Sequence, residues 1–519
     1  MVSKINAISL FGLDGFRVQV EVDIHQGLPA FHIIGLPDKA LQEATFRVSS
    51  AIKNSGYKMP IGKIVVNLSP ADLVKTGTGF DFAIAIGILN ASKQITGNFE
   101  NSVFWGELSL DGSTKNMCGS LVIAQVARNL MFKELFLPAL TAQEAGNLAG
   151  IGIKAVEDLR QLSLHYKGIE IADSPITNPQ IHPKLTEYNL DYIDMSCIRG
   201  QYIAKRALEI SASGSHNLLM SGAPGAGKTM LSKAFATILP DLNFDESLEV
   251  TKIHSVAGLL KREASLIKRC PFRAPHHTSS KISIIGGGSN LKPGEISLAH
   301  KGVLFLDEMN HFSTDTLESL RQPLEDRTVS LVRIKGSVLY PADFILIAAI
   351  NPCRCGYYQD DKHQCICSPK DLANYKKKIS GPILDRIDLK INVKSVGSIL
   401  MNDSVEGEKS LAIKKRVENC REFQKLRSLS LFGNSIPNSK LTQAQLLKTT
   451  ALKTPTKNIL QKAIDKYSLS SRGVIRILRT ARTIADLESV ETVSAEHISE
   501  CLSYRFNGDY TSGYSPCLL

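Results

Sequence analysis

Apolar and polar residues follow two different rhythms along this chain, and the change of rhythm divides it. In roughly the first 170 residues, short runs such as Arg17-Val-Gln-Val-Glu-Val22 and Lys63-Ile-Val-Val-Asn-Leu68 have strand character, while Ala40 to Asn54 and Asp81 to Ala91 read as helices. Between about 190 and 395 the apolar runs become continuous: Asn217-Leu-Leu-Met-Ser221, Gly302-Val-Leu-Phe-Leu306 and Phe344-Ile-Leu-Ile-Ala-Ala-Ile350. Strands buried on both faces have this pattern. Alternating with helical segments, they predict a parallel sheet with its ligand at the carboxyl ends of the strands. From 396 to about 507 the period is helical.

Punctuation agrees with these divisions. Asp173-Ser-Pro-Ile-Thr-Asn-Pro-Gln-Ile-His-Pro183 carries three prolines and reads as a linker. The expected organisation is an α/β multidomain chain: a first α/β or α+β unit over 1–170, a linker over 171–189, a parallel-sheet core over 190–395, a helical unit over 396–507 and a frayed tail over 508–519. A length of 519 residues suits about three ordinary domains. No internal repeat or low-complexity tract interrupts them.

Chemistry concentrates where the first continuous run ends. Gly222, Ala223, Pro224, Gly225, Ala226, Gly227, Lys228 and Thr229 fit G-x-x-x-x-G-K-[ST] between a strand and a helix. Glycines let consecutive N–H groups turn toward phosphate oxygens, and the helix that follows adds its positive end. Lys228 reaches the β- and γ-phosphates of a nucleoside triphosphate, and the Thr229 hydroxyl ligates Mg²⁺. The second run ends in Asp307, suited to the Mg²⁺ shell, and Glu308, suited to polarising an attacking water. The third run ends in Asn351, whose amide can orient that water. Taken singly, each acid or amide is an ordinary loop residue; their order after the phosphate loop makes an ATP hydrolase the stronger reading.

Charge developing on a γ-phosphate calls for a positive group from a neighbour. Arg386, in Ser380-Gly-Pro-Ile-Leu-Asp-Arg-Ile-Asp388, and Arg472 are the candidates. Arg472, Arg476 and Arg479 share one helix face, for which a solvated basic stripe is the ordinary explanation. Cys353, Cys355, Cys365 and Cys367 bracket a polar loop containing His363. Two readings stay open for them: a structural Zn²⁺ site, or four reduced thiols in a loop.

Composition narrows the class. A hydrophobic content of 43% with 21% charged residues supports packed cores and excludes wholesale disorder. No run of about 18 apolar residues predicts a membrane span, and the opening residues lack a secretory pattern, so a cytoplasmic location is expected. A net charge of +11 suits a polyanion partner.

In order along the chain, the phosphate loop, Leu306-Asp-Glu308, Ala348-Ala-Ile-Asn-Pro352, Leu384-Asp-Arg-Ile-Asp388 and the Arg472 helix resemble the magnesium-chelatase-like AAA+ ATPases. Ile34-Gly-Leu-Pro-Asp38, Arg273-Ala-Pro-His-His-Thr278 and Asn351-Pro-Cys-Arg-Cys-Gly-Tyr357 narrow the resemblance to the bacterial ComM/YifB family. The resemblance implies a ring, usually a hexamer, in which Asn351 is sensor 1, Arg386 the arginine finger and Arg472 the sensor 2 arginine, with the helical unit as a lid. It also implies a DNA motor (a helicase or branch-migration translocase) acting in natural transformation.

The first unit resembles the Lon protease domain, of ribosomal S5 domain 2-like fold. Its matching loop, Lys75-Thr-Gly-Thr-Gly-Phe-Asp81, has no nucleophilic serine, and Trp105 to Leu121 supplies no lysine base. Ser69 and Lys75 read as ordinary polar residues, so a platform without peptidase activity is expected. The run Arg327 to Tyr340 has a hairpin signature. Because the resembling ATPases project a hairpin here, and a preceding insertion at the glycine-bearing loop Lys281 to Lys292, into a central channel, the resemblance implies DNA contacts through Arg333, Lys335 and Lys292. A solvated hairpin is the plain alternative, and a protein remodeller or a chelatase motor subunit are the competing functions.

Overall fold

The computed structural model describes residues 2–146, 148, 150–169, 171, 192–260, 266–288, 291–333, 336–358, 360, 363–394 and 407–506. The expected linker over 171–189 beyond its first residue, Lys335, most of 396–407 and the tail over 508–519 lie outside these residues.

Two sheets organise the chain. The first has seven strands in the order Ala30–Ile34, Lys63–Ser69, Asp14–His25, Ser3–Phe11, Ser102–Phe104, Glu134–Pro138, Gly152–Val156. Ser3–Phe11 and Asp14–His25 form an antiparallel hairpin, Lys63–Ser69 pairs antiparallel with the latter, and the remaining pairs are parallel. Along Lys63–Ser69, fully buried Ile64, Val66 and Leu68 alternate with more exposed neighbours, as a half-buried strand requires. Helix Asp81–Ala91 is buried on nearly every side, which is why its sequence is apolar all round. The helix expected over Ala40 to Asn54 comes as Lys39–Gln42 and Ala44–Asn54. The joining Glu43 keeps φ −68°, ψ −15°, a tightened turn within one helical path.

The second sheet is wholly parallel, in the order Phe272–Arg273, Val303–Leu306, Ile345–Ile350, Leu218–Ser221, Leu389–Asn392. Its strands explain the continuous apolar runs. Leu218, Met220, Val303, Phe305, Ile345, Ile347 and Ala349 point into one core, shared with Ile413, Ile477, Ile484 and Tyr504 of the carboxyl-terminal helices. The alternate residues Leu219, Leu304, Leu306, Leu346 and Ala348 point into a second core, closed by Ile383, Val338 and Tyr340. With both faces covered, the central strands Val303–Leu306 and Ile345–Ile350 carry no polar residue.

Helices Ser410–Phe432, Gln443–Thr450, Thr454–Tyr467, Ser471–Leu487 and Ala495–Phe506 follow. The two sheets' territories also touch. The Gly119 amide donates to Ser255 Oγ at 3.1 Å, and Val338 of the second packs against Gly12 of the first. Among the described residues, no helix is long and apolar enough to cross a membrane.

Candidate active site

Leu218–Ser221, Val303–Leu306 and Ile345–Ile350 run in parallel, so whatever follows each of them gathers at one edge of the sheet. After Ser221 the chain enters Gly222, where a Cβ would collide with the Val393 carbonyl. Gly225 and Gly227 take φ of 77° and 88°, the left-handed region that glycine enters freely. The curled loop of Ala223, Pro224 and Ala226 then delivers the chain into helix Lys228–Phe235.

The Lys228 side chain turns back beneath this loop. Its ammonium donates to the carbonyls of Gly222 at 2.6 Å and Ala223 at 3.0 Å, and to Asn351 Oδ1 at 3.0 Å. Burial lowers its pKa, while the charges of Asp307 and Glu308 act in the opposite sense. The Thr229 hydroxyl donates to Asp307 Oδ2 at 2.8 Å. Residues separated by more than a hundred positions thus meet in one place, and their order at the strand ends is the order the sequence suggests.

Glu308 stands in the left-handed region at φ 49°, uncommon for a residue with a side chain. Its amide donates to Asp307 Oδ1 at 2.9 Å, and this turn directs its half-exposed carboxylate away from the strand axis. There it lies 3.8 Å from His277 Nδ1, whose ring stands edge-on to His311 with centroids 5.8 Å apart. Sequence reasoning assigns His277 no role. The available signal is its position a few residues beyond strand Phe272–Arg273, the neighbour of the Asp307 strand.

Arg386 and Arg472 lie elsewhere. Arg386 precedes strand Leu389–Asn392, at the amino edge of the sheet. It lines a cavity of about 310 Å³ with Asn217, Phe344, Arg472 and Arg476. The cavity and the phosphate loop lie at opposite ends of strand Leu218–Ser221, which spans roughly 13 Å. Arg386 bonds to Glu325, whose other carboxylate oxygen lies 3.6 Å from Arg472.

The solvated stripe expected along Arg472, Arg476 and Arg479 is not what forms. Arg472 is exposed, but Arg476 pairs with buried Asp388 at 2.8 Å, and Arg479 donates to the Leu441 carbonyl at 2.9 and 2.6 Å. The helix face is basic because it caps the amino end of the sheet, where a buried carboxylate and a free carbonyl need donors.

The four cysteines come together: Cys353, Cys355, Cys365 and Cys367 place their sulfurs within 4.8 Å of one another. His363 is engaged separately, with Asp360 at 3.1 Å and the Tyr357 ring at 4.6 Å.

The expected hairpin forms from Thr328–Arg333 and Gly336–Pro341, with Arg333 opposite Gly336 and exposed. It is no free finger, because Gly336 lies directly against the Phe11 ring. The described residues of the glycine-bearing loop have regular structure of their own. They form helix Lys281–Ile285 and a two-residue ribbon, Gly286–Gly287 with Lys292–Pro293. Gly286 takes φ 105° where a Cβ would meet the Lys292 carbonyl at 2.6 Å and Leu331 of the hairpin at 3.2 Å. The ribbon of Lys292 therefore sits beside the hairpin of Arg333.

Comparison with known proteins agrees with this arrangement. Residues 194–400 match the family described as magnesium chelatase, subunit ChlI; residues 20–141 match subunit ChlI of Mg-chelatase, and residues 407–505 its ChlI C-terminal family. An uncharacterized protein of Mycobacterium tuberculosis is 38% identical over 97% of this chain and 98% of its own length. The YifB protein of Escherichia coli is 36% identical over 97% of both chains, and the competence protein ComM of Haemophilus influenzae 37% identical over 95% of both. The chain belongs to the ComM/YifB family of magnesium-chelatase-like AAA+ proteins.

Proposed function

We propose that this chain is an ATP hydrolase that works as one protomer of a cytoplasmic homo-oligomeric ring, a hexamer, and drives DNA as a helicase or branch-migration translocase in recombination during natural transformation. The observation that carries the reading is the split of the catalytic set between two edges of one sheet. Lys228, Thr229, Asp307, Glu308 and Asn351 occupy the carboxyl edge, while Arg386 and Arg472 occupy the amino edge. A complete site then needs a neighbour, which a ring supplies.

In this reading residues 222–229 wrap the phosphates of ATP, Lys228 neutralises their charge, and Glu308 polarises the water that Asn351 orients. Thr229 and Asp307 present a hydroxyl and a carboxylate oxygen 2.8 Å apart at the mouth of the loop, a donor set that suits a hard cation. Magnesium bound there supplies neutralisation of phosphate charge. His277 holds the Glu308 carboxylate in place. Arg386 and Arg472 stabilise the charge that develops in the site of the adjacent protomer. The helices over 396–507 act as the lid that carries Arg472 to that interface. The Lon-like unit over 1–170 serves as a platform without peptidase activity; its Lys75 is buried and bonds to the Pro70 carbonyl. Lys292, Arg333 and Lys335 meet the phosphates of DNA. The competence protein among the relatives supports the process, and the net charge of +11 supports the polymer.

The test is which polymer accelerates ATP turnover by the purified protein: forked DNA, single-stranded DNA or an unfolded polypeptide. Stimulation by forked DNA is expected. Stimulation by polypeptide alone would replace the motor with a remodeller, and dependence on a porphyrin would make it a chelatase subunit.

A further inference from the structure

The excursion between the Asn351 strand and helix Pro369–Lys377 holds a site with a chemistry of its own. Cys353 Sγ lies 3.2 Å from Cys355 Sγ and 3.7 Å from Cys365 Sγ, and Cys355 lies 3.5 Å from Cys365. The set closes with Cys367 inside 4.8 Å. Four thiolates around one tetrahedral zinc, at ~2.3 Å from the metal, sit about 3.8 Å from one another. The sulfurs of Cys353, Cys355 and Cys365, 3.2 to 3.7 Å apart, are close to that spacing, with Cys367 near enough to complete the set. An iron–sulfide cluster interposes several atoms and holds its cysteines further apart.

The C-x-C spacing follows from the backbone. The first pair sits in a tight turn, closed by the Gly356 amide donating to the Cys353 carbonyl at 3.1 Å, which brings its two thiols together, and in both pairs the intervening residue, Arg354 or Ile366, faces solvent. Each pair is also anchored. Cys353 lies two residues past Asn351, just beyond the end of strand Ile345–Ile350, and Cys367 precedes Ser368, the N-cap of helix Pro369–Lys377, with a capping box to Asp371. Among the described residues of the excursion no regular element lies between the two pairs, so a metal would be its main crosslink.

We propose that Cys353, Cys355, Cys365 and Cys367 bind one zinc ion, and that the resulting knuckle braces the phosphate loop. The second half rests on the nucleotide reading above. Its geometric basis is Gly356, which follows Cys355 with φ 89° and lies so near Pro224 that a Cβ there would meet that ring at 2.6 Å. Pro224 belongs to the phosphate loop, and Asn351, two residues before Cys353, accepts from Lys228. A fixed knuckle therefore holds one wall of the loop and the strand end that orients Asn351.

Elemental analysis of untagged protein purified without chelators should find about one zinc per chain. Titration of the thiols with a mercurial should release that zinc in step with four sulfurs. Protein free of zinc, a Cys353–Cys355 disulfide in its place, or visible iron–sulfur absorbance would each overturn the metal site. Because cysteine variants can misfold, the bracing is tested in Gly356→Ala, which keeps all four thiols. This variant should retain its zinc and its far-ultraviolet circular dichroism while binding an ATP analogue about tenfold more weakly. Unchanged affinity with zinc retained would overturn the bracing. Zinc content is read without nucleotide, so a wild-type chain that holds zinc but binds no ATP refutes the nucleotide site and leaves the metal site standing.

Discussion

Arg386 and Arg472, distant in sequence, meet on a single carboxylate: Glu325 accepts a hydrogen bond from Arg386 and lies 3.6 Å from Arg472 with its other oxygen. The bond from Arg386, and then its charge, hold the Glu325 carboxyl below its ordinary range. Both guanidiniums are thus gathered at the amino edge of the sheet, facing away from their own phosphate loop.

If they serve a neighbour, Arg386→Ala should bind ATP normally and lose turnover by a factor of about a thousand, the scale of an arginine finger. Mixed with Glu308→Gln subunits, it should recover activity at the interfaces where an intact Glu308 meets an intact Arg386. Steady-state turnover against mixing ratio reads this, and a flat profile at every ratio would place the arginine in its own chain's site.

Lys228 and Glu308 should separate binding from chemistry. Lys228→Ala removes the ammonium that anchors the loop, so affinity for an ATP analogue should fall strongly. Glu308→Gln should leave affinity within about threefold while turnover falls by about two to three orders of magnitude. His277→Ala should lower turnover by roughly tenfold at unchanged affinity, because it frees the Glu308 carboxylate without touching phosphate. Fluorescence titration beside turnover distinguishes the three; a loss of affinity in His277→Ala would make that residue part of the binding wall.

Asp388 predicts how stability depends on pH. Burial pushes its carboxyl up, but Arg476, His216 and Arg505 outweigh that and hold it well below the usual range. With the folded value under the unfolded one, its contribution is complete above about pH 4 and drains away as pH falls further. Arg476→Ala leaves a buried charge short of its main partner and should cost about 3 kcal/mol at neutral pH. Thermal unfolding followed by circular dichroism should show this gap shrinking below about pH 4; a gap that is constant with pH would mean that packing, not charge, is lost.

For the hairpin, Arg333→Ala with Lys335→Ala should preserve basal turnover and assembly but abolish stimulation by DNA. The salt dependence of DNA binding should flatten by about one unit of log–log slope for each phosphate contact removed. Wild-type stimulation in this variant would move the DNA contact off the hairpin.

Local patterns determined a large share of what is described here. The G-x-x-x-x-G-K-[ST] loop, the acids ending one apolar run and the asparagine ending another are legible because each depends on neighbours within a few residues. Parallel strand order then brings Lys228, Asp307 and Asn351 together without further information. Even the helix face of Arg472, Arg476 and Arg479 is fixed by period alone.

What that face meets is another matter. Nothing near Arg476 in sequence announces Asp388, and nothing near Glu308 announces His277, because both partners come from distant segments whose positions follow from packing of the whole sheet and its helices. The same holds for Gly356 against Pro224, where a missing Cβ matters only once two loops touch. Period and spacing determined which residues could do the chemistry. Tertiary packing alone decided that Arg386 and Arg472 gather on Glu325 at the edge of the sheet opposite the phosphate loop, since the facing of an element depends on long-range burial that no local stretch encodes.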